Sequence, residues 1–192
     1  ELSGSYNSAM LAKDLVLEER PELQIHIFNS RSASVGETLI TEKIQECEEK
    51  GMEFSEVVET VENYINTQNT YFVLENLETL RKNGRLSNLK AFVASALKIK
   101  PVMGATPEGT IIQLDQARGM NKALVKMVDY VAGAAEDPEQ KILGITHCNC
   151  PERAEAVKNA ILEKISVKDV ILLDTAGVSS MYANDGGVIV VL

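Results

Sequence analysis

The first residues with chemical content are Ser3, Ser5 and Ser8 in the segment LSGSYNSA. They place three hydroxyls around Gly4 where a helix should start. Free backbone N–H groups and the helix dipole at such a start favour an anion, either carboxylate or phosphate. Gly4 lets a ligand approach the backbone closely. The plainer alternative is a Ser-capped helix with no ligand. A second polar segment is NSRSASVGE, with Asn29, Ser30, Ser32 and Ser34. It follows a predicted strand, at the carboxyl end where open α/β sheets bind ligands. The alternative is a strand-to-helix loop in which Ser34 or a neighbour caps the helix. Arg85, in Asn83-Gly84-Arg85, and Arg118, after Ala117, each offer a rigid fork to carboxylate or phosphate. A surface arginine is the far commoner case for either.

Only His26 and His147 are available as histidine bases or ligands. The run from His147 to Cys150, HCNC, supplies at most three metal ligands with no partner cluster elsewhere. Zinc wants four, or three with an open position, so a metal is not expected here. His147 reads instead as a strand-end histidine that packs or lines an interdomain cleft. The stretch SSMYANDGG, from Ser179 to Gly187, reads as a polar loop, with Asn184, Asp185 and Gly186 suited to a turn.

Several motifs are missing. GxGxxG, GxxxxGK[ST], HExxH and GxSxG do not occur. The net charge of −9 argues against a nucleic-acid backbone as partner. Apolar residues make up 45% of the 192, enough for a real core. No run of about 18 apolar residues occurs, so no membrane-spanning helix is expected. Glu1 opens directly into polar sequence, so no signal peptide is expected. The odd number of cysteines, Cys47, Cys148 and Cys150, fits a reducing cytoplasm. A start at Glu1 without Met reads as a fragment that has lost its beginning.

These groups need elements to position them. A helix is expected from Ser5 to Glu19, with Ser5 as its cap. Alternation of Leu23, Ile25 and Ile27 predicts a strand. Ile40, Ile44 and Cys47 make a helical stripe that Gly51 stops. Ser55 should cap the next helix, with Val57, Val58, Val61 and Ile65 facing inward. TYFVLEN reads as a strand, and NLETL as a short helix ending near Gly84. That alternation predicts a layered α/β unit with a largely parallel sheet.

The second half has a different texture. Leu89, Val93 and Leu97 form a stripe that Pro101 ends. PVMGA and TIIQLDQ flank the turn Thr106-Pro107-Glu108-Gly109, a hairpin. Leu124, Met127, Val128 and Val131 make a helix, and KILGIT a strand. Ala154, Val157 and Ile161 make a helix that Pro151 can open. VILLD and GVIVVL close as strands. A boundary near residues 81–88 divides residues 1–84 from 85–192, as two α/β units packed without a flexible linker.

Taken in order, these segments resemble the DegV family of bacterial fatty-acid-binding proteins. LSGSYNSA resembles the family's LSGTYQSA-type segment, and NSRSASVGE its DSxSASxG segment. ENLETLRKNGRLS resembles DTLEYLKKGGRIS. LKIKPVMGATPEGTI with the following QAR resembles the family's LNIKPIL…DG…KVR run. The resemblance covers nearly the whole chain. It implies two packed α/β domains with a long-chain fatty acid held between and within them. The first would have a largely parallel sheet and be N-terminally incomplete; the second would have a mixed sheet. It also implies a non-catalytic, lipid-carrying subunit without a cofactor of its own. Such a subunit presents the carboxylate to an ATP-binding fatty-acid kinase partner, which makes the acyl phosphate.

By the resemblance, Ser3, Gly4 and Ser5 would hold the carboxylate, with Ser32 and Ser34 in the second loop. Arg85 and Arg118 match the family's GGR and KVR arginines and would face the cleft or the partner, as would His147. The family's N-terminal segment, with a further hydroxyl pair beside the head group, is absent from this sequence. The family's GTHTGPG loop, whose histidine faces the ligand, is replaced by YANDGG. Either Tyr182 or Asn184 would stand in for that histidine, or the contact would be absent. About fourteen buried methylenes at ~0.8 kcal/mol each contribute on the order of 10 kcal/mol gross. Association and ordering costs take back a large share. Two other classes stay open at this point. One is a serine-dependent acyl or phosphoryl transferase, with Ser3 or Ser5 activated by a histidine. The other is a ligand-free regulatory or interaction module.

Overall fold

The computed structural model describes residues 3–86 and 98–192. Three helices come first: α1 (Ser5–Glu19), α2 (Val35–Glu49) and α3 (Phe54–Asn66). Strand β1 (Thr70–Val73) and helix α4 (Glu78–Lys82) follow. The hairpin is β2 (Ile99–Ala105) and β3 (Ile111–Arg118), and α5 spans Met120–Gly133. The chain then runs β4 (Ile142–His147), α6 (Pro151–Leu162), β5 (Asp169–Asp174), α7 (Gly177–Ala183) and β6 (Val188–Val191). The expected stripe of Leu89, Val93 and Leu97 lies outside the described residues.

The strands form one sheet in the order β3-β2-β1-β6-β4-β5. Only β4 and β5 run parallel, joined by α6 as crossover. The pairs β1–β2, β1–β6, β2–β3 and β4–β6 are antiparallel. The expected largely parallel sheet in the first unit is therefore corrected. Its one described strand, β1, lies between β2 and β6 of the second unit. The division at residue 84 does not separate two sheets among the described residues. Residues 23–28 are not a strand either, although their side chains alternate. A strand needs a neighbour for its backbone N–H and C=O groups, and no described strand lies beside this one. Side chains hold it instead. His26 Nε2 is 2.9 Å from Glu62 Oε1 on α3, and Phe28 packs on the core between α2 and α3.

Period-two alternation gives the sheet two different faces. Tyr71, Val73, Leu143, Ile145, Val188 and Val190 face α5 and α6, which supply Met127, Val131, Val157 and Ile161. The opposite face carries two patches. Phe72, Met103 and Ile189 pack with Leu77 and Leu80 near α4 and with Ala183 of α7. Val191, Ile142 and Ile171 pack against Val35 and Leu39 of α2. Helices α2 and α3 share a core of their own, Ile40, Cys47, Val61 and Ile65.

Local signals account for most boundaries. The hairpin turn closes with Gly109 N–H donating to Thr106 O at 2.8 Å, and Gly109 sits at φ 82. Pro151 opens α6, as its fixed φ and missing N–H allow. Ser55 does not cap α3. Glu53 takes that position, and its N–H donates to Glu56 Oε2 at 3.0 Å. Ser5 does not cap α1 either. Gly4 is at the cap, and the Ser5 N–H donates to Ser3 Oγ at 3.0 Å. Part of the expected polar loop before β6 is helix α7.

Gly144 of β4 lets α2 sit directly on the sheet. A Cβ there would lie 2.6 Å from Val35 Cγ2 and 3.0 Å from Leu39 Cδ1. Gly144→Ala is expected to cost about 1–3 kcal/mol by overpacking, read from urea unfolding. Gly133→Ala, at a helical position with nothing within 4 Å of the added carbon, is expected to stabilise by up to about 1 kcal/mol. An unchanged midpoint for Gly144→Ala would show that α2 does not rest on β4.

Glu46 of α2 accepts from Lys50 Nζ at 2.7 Å and Lys43 Nζ at 3.0 Å, and Lys168 lies 3.7 Å away. Lys50 and Lys43 hold its carboxyl at about 2, against a usual 4.5. A depressed carboxylate stabilises above its unfolded pKa and loses that as pH falls through the folded one. Glu46→Gln is therefore expected to be less stable than the parent at pH 7. The gap should shrink below pH ~5 and close near pH ~2, in urea titrations at a series of pH values. A gap independent of pH would refute the ion-pair account.

Candidate functional site

Two sets of polar groups converge at the carboxyl end of β4. The first lies in the loop before α2. Thr146, on β4, is only 4% exposed, and its Oγ1 is 2.9 Å from Ser34 Oγ. Ser32 Oγ is 2.8 Å from Thr70 Oγ1, at the start of β1. Each pair holds two O–H donors and spends one on its own bond. One donor per pair remains for an anion.

The loop is fixed closely. Arg31 Nη2 donates to Asn66 Oδ1 at 2.6 Å and Nη1 to Pro107 O at 3.2 Å, tying it to α3 and the hairpin turn. A Cβ on Gly36 would lie 2.0 Å from Ser32 Oγ. Ser34 sits at φ 57, ψ −124 with no side-chain cap bond. That backbone region suits glycine. The hydroxyl that would ordinarily cap α2 is turned onto Thr146 instead.

The second set is the turn from Asn184 to Gly187, between α7 and β6. Cys148 N–H donates to Gly187 O at 3.0 Å, and Gly186 N–H to Cys148 O at 2.8 Å. Asn149 Nδ2 donates to Asp185 Oδ1 at 3.1 Å. Asn184 Nδ2 donates to Tyr182 O at 2.9 Å, and Tyr182 packs on the α4–α7 cluster. Asn184 has φ 56, ψ 165, again a conformation that suits glycine. Gly187 can be nothing larger, since a Cβ would lie 2.3 Å from Ala183 O.

His147 is 3% exposed and packs at the end of β4. Its Nδ1 accepts from the Cys150 N–H at 3.3 Å. Asp174 Oδ1 is also 3.3 Å from that nitrogen, but this side chain is 81% exposed. One nitrogen cannot accept and donate in the plane of the ring at once. The main-chain bond from Cys150 uses Nδ1 as the acceptor.

Ser3, Gly4 and Ser5 are exposed at the start of α1. Ser3 Oγ and Ser5 Oγ are 2.7 Å apart, and nothing lies within 4 Å of a Cβ added to Gly4. The structure does not bring these residues onto Ser32, Ser34 or Asn184. Helix α1 buries no residue, and Leu11 and Leu15 on it are exposed. Neither histidine bonds Ser3 or Ser5 among the described residues, so no serine–base pair forms there. Arg85 is exposed beyond α4, and its Nη1 donates to Asn83 O at 2.6 Å. Arg118 is exposed at the end of β3, opposite Ile99.

Sequence reasoning missed Thr70 and Thr146. Each looks like an ordinary strand threonine, and only the pairing across the fold marks it. A cavity of about 390 Å³ opens elsewhere, between α2 and the residues before β4. Glu42, Lys43, Glu46 and Lys141 line it. A wall so charged suits water better than an acyl chain.

The family described as "Uncharacterised protein, DegV family" matches residues 1–192. A DegV domain-containing protein of Streptococcus pneumoniae is 35% identical over 188 residues, 98% of this chain and 66% of the relative. The chain thus spans about two thirds of the length of that curated relative. A DegV family protein from Ruminococcus gnavus, refined with vaccenic acid, is 62% identical with a TM-score of 0.96. That match covers 100% of this chain and 68% of the other. The Streptococcus pneumoniae fatty acid kinase (Fak) B3 protein, loaded with linoleic acid, is 34% identical with a TM-score of 0.88. It matches over 99% of this chain and 67% of its own. With every residue matched by the family and this identity to its members, the chain belongs to the DegV family.

Proposed function

We propose that this protein binds a long-chain fatty acid and presents its carboxylate to an ATP-dependent kinase partner, which forms the acyl phosphate. The observation that carries the reading is the 62% identity and common fold with the vaccenic-acid-bound Ruminococcus gnavus protein. The similarity to the Fak B3 protein supports the partner. The protein is the carrier and not the catalyst, and its ligand is the fatty acid rather than a cofactor. It acts in the cytoplasm, where its three free cysteines stay reduced. No described helix is long and apolar enough to cross a membrane.

The chemistry is a division of labour. Apolar surface takes the tail, and one polar end takes the carboxylate. A carboxylate moved out of water beside its own tail is costly unless several donors meet it. Hydroxyls and backbone N–H groups supply those donors without a competing positive charge. Ser32 and Ser34 offer the spare donors of their threonine pairs. Tyr182 near the end of α7 and Asn184 at the opening of the turn would meet the head group, whereas Ser3, Gly4 and Ser5 offer a helix start that stands apart from this end. Arg85 and Arg118 face the partner. His147 stands behind the turn as packing.

Native mass spectrometry of the purified protein tests the reading. A stoichiometric mass excess that organic extraction identifies as a long-chain fatty acid is expected. A protein that stays at its apo mass after oleate is added would overturn it. Ser34→Ala is expected to weaken retention of a fluorescent fatty acid by about 10- to 150-fold, the scale of one hydrogen bond to a charged group. Unchanged affinity would remove Ser34 from the head-group site.

A further inference from the structure

The turn from Asn184 to Gly187 is gripped by a charged group outside it. Arg153, on α6, donates through Nη1 to the Gly186 carbonyl. The same nitrogen is 3.1 Å from Glu75 Oε1. Glu75 lies just beyond β1, and its Oε2 accepts from Lys100 Nζ of β2 at 2.6 Å. Lys100 also donates to the Glu75 main-chain carbonyl, at 2.5 Å. The three side chains are between 21% and 34% exposed. Partial burial pushes the Glu75 carboxyl up, but Lys100 and Arg153 beside it pull harder, and it stays below the usual carboxylate range. Gly186 is shaped to this group. Its φ is 90, and an added Cβ would lie 2.7 Å from Arg153 Nη1 and 3.0 Å from Glu75 Cγ.

The need for such a grip is visible two residues away. Asn184 holds a backbone conformation that side-chain-bearing residues rarely adopt, and such residues persist only where their surroundings over-determine them. The pair of main-chain bonds to Cys148 anchors Gly186 and Gly187 on one side. Arg153 closes the other. We infer that Arg153, held in place by Glu75 and Lys100, is a positioning residue for fatty-acid recognition: it fixes the Asn184–Gly187 turn so that Tyr182 and Asn184 meet the ligand's carboxylate. This rests on the reading that the turn faces the head group. Arg153 acts through the turn it touches, so its effect is confined to the polar end.

The test compares oleate with oleyl alcohol, which has the same tail and no carboxylate. Binding of each to the delipidated protein is measured by displacement of a fluorescent fatty acid. The parent is expected to prefer the acid. Arg153→Ala is expected to lose about tenfold or more in oleate affinity while keeping its oleyl alcohol affinity within about twofold. Arg153→Lys, which keeps a charged donor for the Gly186 carbonyl, is expected to recover most of the loss. Glu75→Gln, which keeps the shape and frees the guanidinium, should fall between parent and Arg153→Ala. If both ligands weaken together in all three variants, or oleate affinity does not change, Arg153 has no positioning role and the inference fails alone. If the parent binds neither ligand, the fatty-acid reading fails and takes this inference with it.

Discussion

The register of β6 is the constraint on which the rest depends. This short strand lies between β1 and β4 and is antiparallel to both, so both sides of its backbone are bonded within the sheet. Val188 and Val190 project into the α5–α6 core, while Ile189 and Val191 each serve a different patch on the opposite face. A slip of one residue would exchange those faces and bury the wrong side chains everywhere at once. The same register places Val188 opposite His147. The turn that enters β6 is thereby brought against the residues that leave β4. The meeting of the two polar segments follows from the sheet.

The chemistry gathered there is mostly uncharged. Ser32, Ser34, Thr70 and Thr146 bond in two hydroxyl pairs. Glu75, Lys100 and Arg153 use one another and the Gly186 carbonyl. Ser34 and Asn184 carry backbone conformations suited to glycine. Strain of that kind is retained where function or a tight fit requires the side chain. Ser34 keeps its hydroxyl for Thr146, at the expense of capping α2.

Much of the fold was legible in the sequence because its signals are local. The hairpin around Thr106–Gly109, the stripes of α2, α3 and α5 and the Pro151 start of α6 can all be read within one element. What failed was relational. The alternation at Leu23, Ile25 and Ile27 is real, but a strand is a partnership and the described residues supply no partner. Helix α7 escaped notice because seven mostly small and polar residues show no period. Ser55 lost the cap to Glu53 by two positions, a contest that turns on where the chain bends. The candidate site divided along the same line. Ser32 and Ser34 were visible as a Ser-rich loop after an apolar run. Their threonine partners, 38 and 112 residues away, carry no mark of their own. Arg153 within α6 and Glu75 just beyond β1, 78 residues apart, carry no such mark either.

Gly187 carries a mechanical consequence. The carbonyl of Ala183, at the end of α7, lies where a side chain on Gly187 would begin. The turn between them is only a few residues long and is bonded on both flanks. Helix α7 and the central strand are therefore coupled as by a stiff elbow, with no slack to take up a displacement. A load applied at Tyr182 or Asn184 passes into the middle of the sheet, where β6 is locked to two neighbours. The joint behaves as a fixed stop rather than a hinged flap, and whatever settles there meets a surface already formed.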